Sequence, residues 1–257
     1  MDANSLITLL IAATAAGWVD AIVGGGGLLL LPALLMGAPG MPVATALGTN
    51  KLTAIAGTSV AAVTYARRTK IDWSVAGPAA GFAVLASGVG AALAGSVPAE
   101  MYRPVVLGVL VAVALFVTLR PRIGVIAETG KRTRPRAAAA VAVAGGVIAL
   151  YDGMFGPGTG TFLVLTFTTV VGADFLHGSA MAKLVNAGTN FGALMVFAAT
   201  GHVWWLLGGA LALCNIAGAV IGARMALRRG SGFVRLVLLV VVLALVTKLG
   251  YDQWRLS

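Results

Sequence analysis

Charge is scarce in this sequence. Charged residues make up 10% of its 257 residues, whereas an ordinary soluble domain has about 25%, so a water-soluble globular fold is excluded. The single cysteine, Cys214, excludes an intramolecular disulfide. With only two histidines, His177 and His202, and no cluster of carboxylates beside them, we expect no metal site. No Walker pattern is present, and we expect no nucleotide or other cofactor.

Apolar residues are abundant instead. They make up 59% of the chain and give a mean hydropathy of +0.97. Several uninterrupted apolar runs reach the roughly 20 residues that a membrane-spanning helix needs. The sequence therefore predicts an all-α polytopic membrane protein. Its N-terminus has no basic region before the first apolar run, so we expect no cleaved signal peptide.

The net charge of +10 is typical of nucleic-acid-binding proteins, but the placement of the basic residues argues against that class. Lys and Arg cluster in the gaps between the apolar runs, which is the positive-inside pattern that orients membrane proteins. We therefore expect the lipid bilayer, and no nucleic acid, as the partner of this surface. Homo-oligomer formation is left open.

The chain contains one unit twice. Shifting the sequence by 132 residues, without gaps, superimposes rare residue types that chance seldom aligns. The matched pairs are Asp20 and Asp152, Gly24 and Gly156, Gly26 and Gly158, Lys51 and Lys183, Trp73 and Trp205, Gly90 and Gly222, and Arg103 and Arg235. We predict a first repeat over 1–119, a basic cytoplasmic linker over 120–136 and a second repeat over 137–257.

The first apolar segment of each repeat is too long for a single crossing. Segment 5–36 would extend about 48 Å as a straight helix, against a hydrocarbon core of about 30 Å, and 137–173 is similar. Each contains a glycine cluster, Gly24–Gly27 or Gly156–Gly160. Because glycine and proline break helices, we predict two half-helices joined by a non-helical elbow in each repeat. Whether these segments are re-entrant or cross fully stays open.

Loop charges predict that the repeats are inverted in the membrane. The loop 67–70 is basic, whereas the equivalent loop around 199–203 has no Lys or Arg. The loop 95–102 has neither, whereas its equivalent contains Arg228 and Arg229. Inversion requires an odd number of crossings per repeat. About four helical segments per repeat satisfy this if three of them cross the membrane and one, made of two half-helices, is re-entrant. This topology places thirteen basic residues in the cytoplasm and three outside.

Lys51 and Lys183 mark a predicted site near the middle of the membrane. Each lies about nine residues into its span, 42–66 or 175–199, and hence about 12–14 Å deep. Charge is expensive at this depth and usually marks an ion or substrate path. Half-helix N-termini at the elbows add positive dipole ends, so we predict an anion site. The candidate binding residues are Lys51, Lys183, Asn50, Thr49, Asn186, Asn190, Gly25, Gly26, Gly158, Thr159 and Gly160.

Asp20 and Asp152 each precede an elbow by four residues and have two interpretations. Each could simply neutralise a lysine, or it could carry a proton, because a carboxylate in a low dielectric binds protons more readily. Two Asp and two Lys sum to zero, so a bound anion would leave excess negative charge that a proton would balance. His177, near the cytoplasmic end of its helix, is a further candidate coupling group.

Several short motifs carry a more specific signal. They are Gly24–Gly27, Gly48-Thr49-Asn50-Lys51, Ile71-Asp72-Trp73, Gly156-Pro157-Gly158-Thr159-Gly160, Ala182-Lys183-Leu184-Val185-Asn186 and Gly222-Ala223-Arg224. With them the chain resembles, over essentially its whole length, the sulfite exporter TauE/SafE family of anion transporters, also called the TSUP family. The resemblance implies a multi-pass protein of the bacterial cytoplasmic (inner) membrane. It also implies export or uptake of sulfite, thiosulfate or organosulfonates such as sulfoacetate.

Two other function classes remain open at this point. A passive anion channel would also line its pore with lysines and helix ends. An intramembrane enzyme could use Asp20 and Asp152 as an aspartyl pair, although no Gly-Xaa-Gly-Asp pattern, Ser/Lys dyad or His-Glu zinc motif supports it. We predict a secondary transporter of a small anion, and not an enzyme.

Overall fold

A computed structural model describes residues 2–94, 96, 101, 108, 111, 119, 124 and 126–254. Nearly all of 102–119, the last part of the predicted first repeat, lies outside these residues, together with most of the loop 95–102 and the beginning of the linker 120–136.

The described residues form helices and no strands, which confirms the all-α prediction. Four helical segments, Ala3–Val23, Trp73–Ala94, Arg134–Met154 and Trp205–Val241, are long and apolar enough to cross a membrane by length and composition. The helices are α1 (Ala3–Val23), α2 (Gly26–Gly37), α3 (Val43–Ala66), α4 (Trp73–Ala94), α5 (Arg134–Met154), α6 (Thr159–Val171), α7 (Phe175–Ala199) and α8 (Trp205–Trp254). Within α8, Gly230 interrupts the helical backbone with φ 72° and ψ −170°.

Both predicted elbows are confirmed. In the first repeat α1 ends at Val23, Gly24 adopts a left-handed φ of 79°, and α2 begins two residues later. In the second repeat Gly156 and Gly158 have φ values of 86° and 87° before α6 begins. Glycine adopts this conformation without the steric penalty of a Cβ atom, so each long segment is interrupted at these glycines. Gly172, at the end of the second segment, also has a left-handed φ of 81°.

The helices of the two repeats pack reciprocally. Helix α1 packs on α8, and its repeat equivalent α5 packs on α4, which is the equivalent of the first part of α8. Helix α3 likewise packs on α8, while α7 packs on α4, and α3 and α7 contact each other. Such an exchange is what a two-fold relation between the repeats would produce. Their opposite orientation in the membrane and the repeat boundaries stay predictions.

Glycine makes the reciprocal packing close. A Cβ on Gly222 of α8 would lie 2.5 Å from the carbonyl oxygen of Trp18 in α1. At the equivalent place in the other pair, a Cβ on Gly90 of α4 would lie 2.2 Å from the carbonyl oxygen of Leu150 in α5. Small residues of this kind allow membrane helices to pack backbone against backbone. Residues that lie 132 positions apart therefore make equivalent contacts, in addition to being of the same type.

Candidate functional site

The two elbows line a small polar cavity together with α3 and α7. Its volume is about 20 Å³, enough for a water molecule and far below the roughly 300–1,000 Å³ of clefts that bind drug-sized ligands. Elbow residues form much of its wall, including Gly24, Gly156 and Thr159. The other polar groups on the wall are Asp20, Asp152, Lys51, Asn50, Asn186 and Asn190.

Two buried ion pairs connect the repeats at this cavity. Lys51 Nζ of the first repeat lies 2.6 Å from Asp152 Oδ2 of the second, and the two side chains are 2% and 3% exposed. Lys183 Nζ of the second repeat lies 3.1 Å from Asp20 Oδ2 of the first, and these side chains are 0% and 13% exposed. Each lysine therefore pairs with the aspartate of the other repeat, and breaking such a pair leaves an uncompensated buried charge.

Asp20 has further hydrogen-bond donors. The Thr58 hydroxyl donates to Asp20 Oδ2 over 3.1 Å, and the backbone N–H of Gly26 donates to Asp20 Oδ1 over 3.4 Å. The Gly26 N–H is one of the free donors in the first turn of α2, so this carboxylate caps the half-helix across the elbow.

Hydroxyl groups hold the end of α1 beside the cavity. Its last carbonyl oxygens would have no intrahelical partner, and side chains of α3, α6 and α7 supply donors to them. The bonds run from Tyr65 to Ala21 at 3.0 Å, from Ser179 to Ile22 at 3.0 Å and from Thr161 to Val23 at 3.1 Å. In the second elbow, the Tyr151 hydroxyl donates to the Pro157 carbonyl over 2.8 Å. The elbows are therefore fixed from several helices.

The asparagines supply uncommitted donors. Asn50 and Asn190 are 5% and 3% exposed and line the cavity, and neither side chain has a hydrogen bond to another described residue. Asn186 Oδ1 accepts from Thr189. Buried amides are normally hydrogen-bonded, so amides that face a polar cavity are suited to bind water or a ligand.

Most of the sequence-predicted binding residues lie on the cavity wall. The residues there are Lys51, Asn50, Asn186, Asn190, Gly158, Thr159 and Gly160, accompanied by the candidate coupling residues Asp20 and Asp152. Their binding and coupling roles stay predictions.

Five candidate residues lie away from the wall. Lys183 is fully buried beside Asp20, and the Thr49 hydroxyl accepts the N–H of Trp204 at the start of α8. Gly26 uses its N–H on Asp20. A Cβ on Gly25 would meet only apolar side chains. His177 pairs with Asp174, 2.7 Å away, at the beginning of α7.

Sequence reasoning missed several wall residues. Gly24, Gly27 and Gly156 line the cavity although we did not propose them as binding residues. The repeat contained a signal for two of them, because Gly24 and Gly156 are themselves a matched pair. Thr58 was recognisable as a polar residue on the Lys51 helix, but its bond to Asp20 depends on how α1 and α3 pack.

Comparison with known proteins gives a consistent result. The profile of the family described as Sulfite exporter TauE/SafE matches residues 9–249. The "Probable membrane transporter protein ORF9" of Sinorhizobium sp. is 36% identical over 247 residues, which cover 96% of this chain and 93% of the relative. The "Probable membrane transporter protein YfcA" of Escherichia coli (strain K12) is 35% identical over 245 residues, covering 95% and 89%.

A third relative, a "Probable membrane transporter protein" of Haemophilus influenzae, is 30% identical over 238 residues, covering 93% of this chain and 91% of the relative. No solved structure matches the chain. These relatives are named as transporters and not as enzymes. The chain belongs to the sulfite exporter TauE/SafE family of membrane transporters.

Proposed function

We propose that the chain is a secondary transporter of a small anion in the bacterial cytoplasmic membrane. The substrate class is a sulfur oxyanion or organosulfonate, such as sulfite, thiosulfate or sulfoacetate. The observation that carries the proposal is the position of Lys51, whose ammonium group lines a buried cavity between the starts of two half-helices.

The electrostatics of the cavity support an anionic substrate. Helix α6 begins at the cavity wall, where Gly158, Thr159 and Gly160 lie, and Gly27 in the first turn of α2 lies there as well. A helix N-terminus presents free N–H groups and a positive dipole end. The amides of Asn50 and Asn190 add neutral donors. An oxyanion with several oxygen atoms accepts from several such donors at once, and Lys51 supplies the compensating charge.

The small size of the cavity supports a carrier over a passive channel. Its volume is about 20 Å³, and both ion pairs are closed beside it, so the described helices leave no wide path at this point. A carrier has to open this centre to one side of the membrane at a time, whereas a channel needs a continuous pore.

Charge balance supports proton coupling. The two lysines and two aspartates at the centre are formally neutral together. A bound monovalent anion adds one negative charge in apolar surroundings, where an uncompensated charge is costly. One proton transported with each anion would restore neutrality.

Transport in proteoliposomes tests the proposal. Purified protein should show saturable [³⁵S]sulfite flux that unlabelled thiosulfate or sulfoacetate competes with, and an inward proton gradient should accelerate it. Lys51→Met should raise the half-saturating concentration at least about thirtyfold, equivalent to roughly 2 kcal/mol of lost binding. The matched control is Lys70→Met, because Lys70 is exposed in a loop. Non-saturating flux, or equal kinetics in the two variants, would contradict the proposal.

A further inference from the structure

The two ion pairs occupy equivalent positions in the repeats but differ in their relation to the cavity. In the Lys51–Asp152 pair, both side chains line the cavity. In the other pair, Asp20 lines the cavity and its side chain is 13% exposed, whereas Lys183 is not part of the cavity wall. Both lysine side chains are almost fully buried, at 2% for Lys51 and 0% for Lys183, so the difference lies in which of them reaches the cavity. A ligand in the cavity would therefore meet one lysine directly and the other only through an aspartate.

The carboxylates also differ in the number of their donors. Asp20 accepts hydrogen bonds from Lys183, Thr58 and the Gly26 backbone. Asp152 accepts from Lys51 alone among the described residues. Moving a carboxylate away from three hydrogen-bond donors costs more free energy than moving one away from a single ammonium group.

Two sequence differences explain this asymmetry. Thr58 is replaced by Asn190 at the equivalent position of the second repeat, and Asn190 faces the cavity without bonding Asp152. The second elbow is also longer. Two residues separate α1 from α2, whereas four separate α5 from α6. The start of α6 is thereby displaced in repeat register, and the hydrogen bond that the described residues make to the Asp152 carboxylate comes from Lys51.

Lys51 also lies beside the second elbow. A Cβ on Gly156 would lie 3.7 Å from Lys51 Nζ, so the ammonium group adjoins the turn that leads into α6. An anion bound there would contact the lysine and the free N–H groups of the half-helix together.

We propose that the two ion pairs have divided roles. Lys51–Asp152 is the exchangeable pair, in which the transported anion displaces Asp152 from Lys51. Lys183–Asp20 is the fixed pair, which remains closed and holds the first elbow against α7. This inference rests on the proposed function for the identity of the displacing ligand, but the difference in access between the two lysines does not depend on it.

Displacement of Asp152 has a consequence for the proton. The carboxylate then has no counter-ion, and a buried unpaired charge is neutralised most readily by protonation. The titratable groups on the surrounding helices are Lys51 and Tyr65 on α3, Lys183 and His177 on α7, Asp20 on α1 and the adjacent Tyr151, whereas α4 and α6 contain none. In this proposal Asp152 receives its proton from water on the side of the membrane to which the site is open. It releases the proton when the anion leaves and Lys51 can pair with it again.

Cysteine accessibility tests the difference in access without any transport assay. In a Cys214→Ala background, one variant contains Lys51→Cys with Asp152→Asn, and the matched variant contains Lys183→Cys with Asp20→Asn. Both are neutral at the altered pair. An anionic organosulfonate thiol reagent, 2-sulfonatoethyl methanethiosulfonate, should modify Cys at position 51 at least about tenfold faster, because thiol modification follows access. Equal rates, or faster modification at position 183, would overturn the proposal.

Transport of charge-neutral double variants tests the division of roles. Lys51→Met with Asp152→Asn should raise the half-saturating concentration for [³⁵S]sulfite at least about tenfold more than Lys183→Met with Asp20→Asn. Loss of flux in both variants, or a larger effect of the second, would overturn the proposal. If the wild type shows no saturable flux but the labelling rates differ as expected, the anion proposal fails and the difference in access stands.

Discussion

Contact between the two elbows makes Gly24→Ala the most informative stability variant. A Cβ on Gly24 would lie 2.2 Å from Gly160 Cα, and a Cβ on Gly160 would lie 2.3 Å from Gly24 Cα. Carbon atoms normally approach to about 3.5–4.0 Å. Neither residue can therefore gain a methyl group unless the two elbows separate at the centre of the molecule.

The structure allows backbone strain and steric overlap to be separated. Gly24 combines both, since its φ is 79°, and we expect a loss of about 2–5 kcal/mol from about 1–2 for left-handed backbone and about 1–3 for overpacking. Gly160→Ala introduces only the steric overlap with Gly24. Gly40→Ala has the strain alone, because φ is 88° and no atom lies within 4 Å. Gly25→Ala has neither, as its nearest contact is 3.4 Å.

The assay is the apparent unfolding temperature of the four purified variants in detergent. Ranking is preferable to a free energy because unfolding of such proteins is commonly irreversible. Gly24→Ala should unfold at the lowest temperature, Gly160→Ala and Gly40→Ala at intermediate temperatures, and Gly25→Ala close to the wild type. If Gly24→Ala is as stable as Gly25→Ala, the two elbows do not touch as described and the geometry of the cavity is wrong.

Three further predictions follow from other parts of the chain. Gly130→Cys and Arg228→Cys, in a background without the native cysteine, should both be labelled only from the cytoplasm; labelling of position 228 from outside would contradict the inverted topology. Thr58→Val removes one of three donors to the partly buried Asp20 carboxylate and should cost about 1–3 kcal/mol, measured as a lower unfolding temperature with expression retained. The hydrogen bond from Arg132 holds the pKa of Asp72 below its usual range, so the pair stabilises the fold at neutral pH and less as pH falls through the lowered pKa. Asp72→Asn should therefore lower the unfolding temperature at neutral pH, and the difference from the wild type should shrink in acid.

The elements that sequence predicts well here are those fixed by local chemistry. A glycine cluster inside an apolar segment that is too long to cross once predicts an elbow, and both elbows are present. Lys51 was identifiable because a charge in an apolar helix requires compensation. These inferences need only the residue, its neighbours and the thickness of a bilayer.

The cavity wall was harder to predict because it depends on which helix faces meet. Thr49 and Asn50 are adjacent in sequence but about 100° apart around α3. Asn50 consequently faces the cavity, whereas Thr49 contacts the start of α8. Lys183 shares a helical stripe with Asn186 and Asn190, yet the side chain of Asp20 stands between it and the cavity. No pattern within α7 could reveal a residue contributed by α1.

The sequence repeat also does not predict which lysine pairs with which aspartate. The shift of 132 residues makes Asp20 equivalent to Asp152 and Lys51 equivalent to Lys183, but pairing within each repeat and pairing between repeats satisfy it equally. The structure has the second arrangement. Separating the predicted repeats would therefore break both pairs, and breaking a buried pair costs about 3–5 kcal/mol. Because the folded chain compensates the lysine and aspartate of each repeat with those of the other, the two pairs favour folding of both repeats as one unit around the cavity.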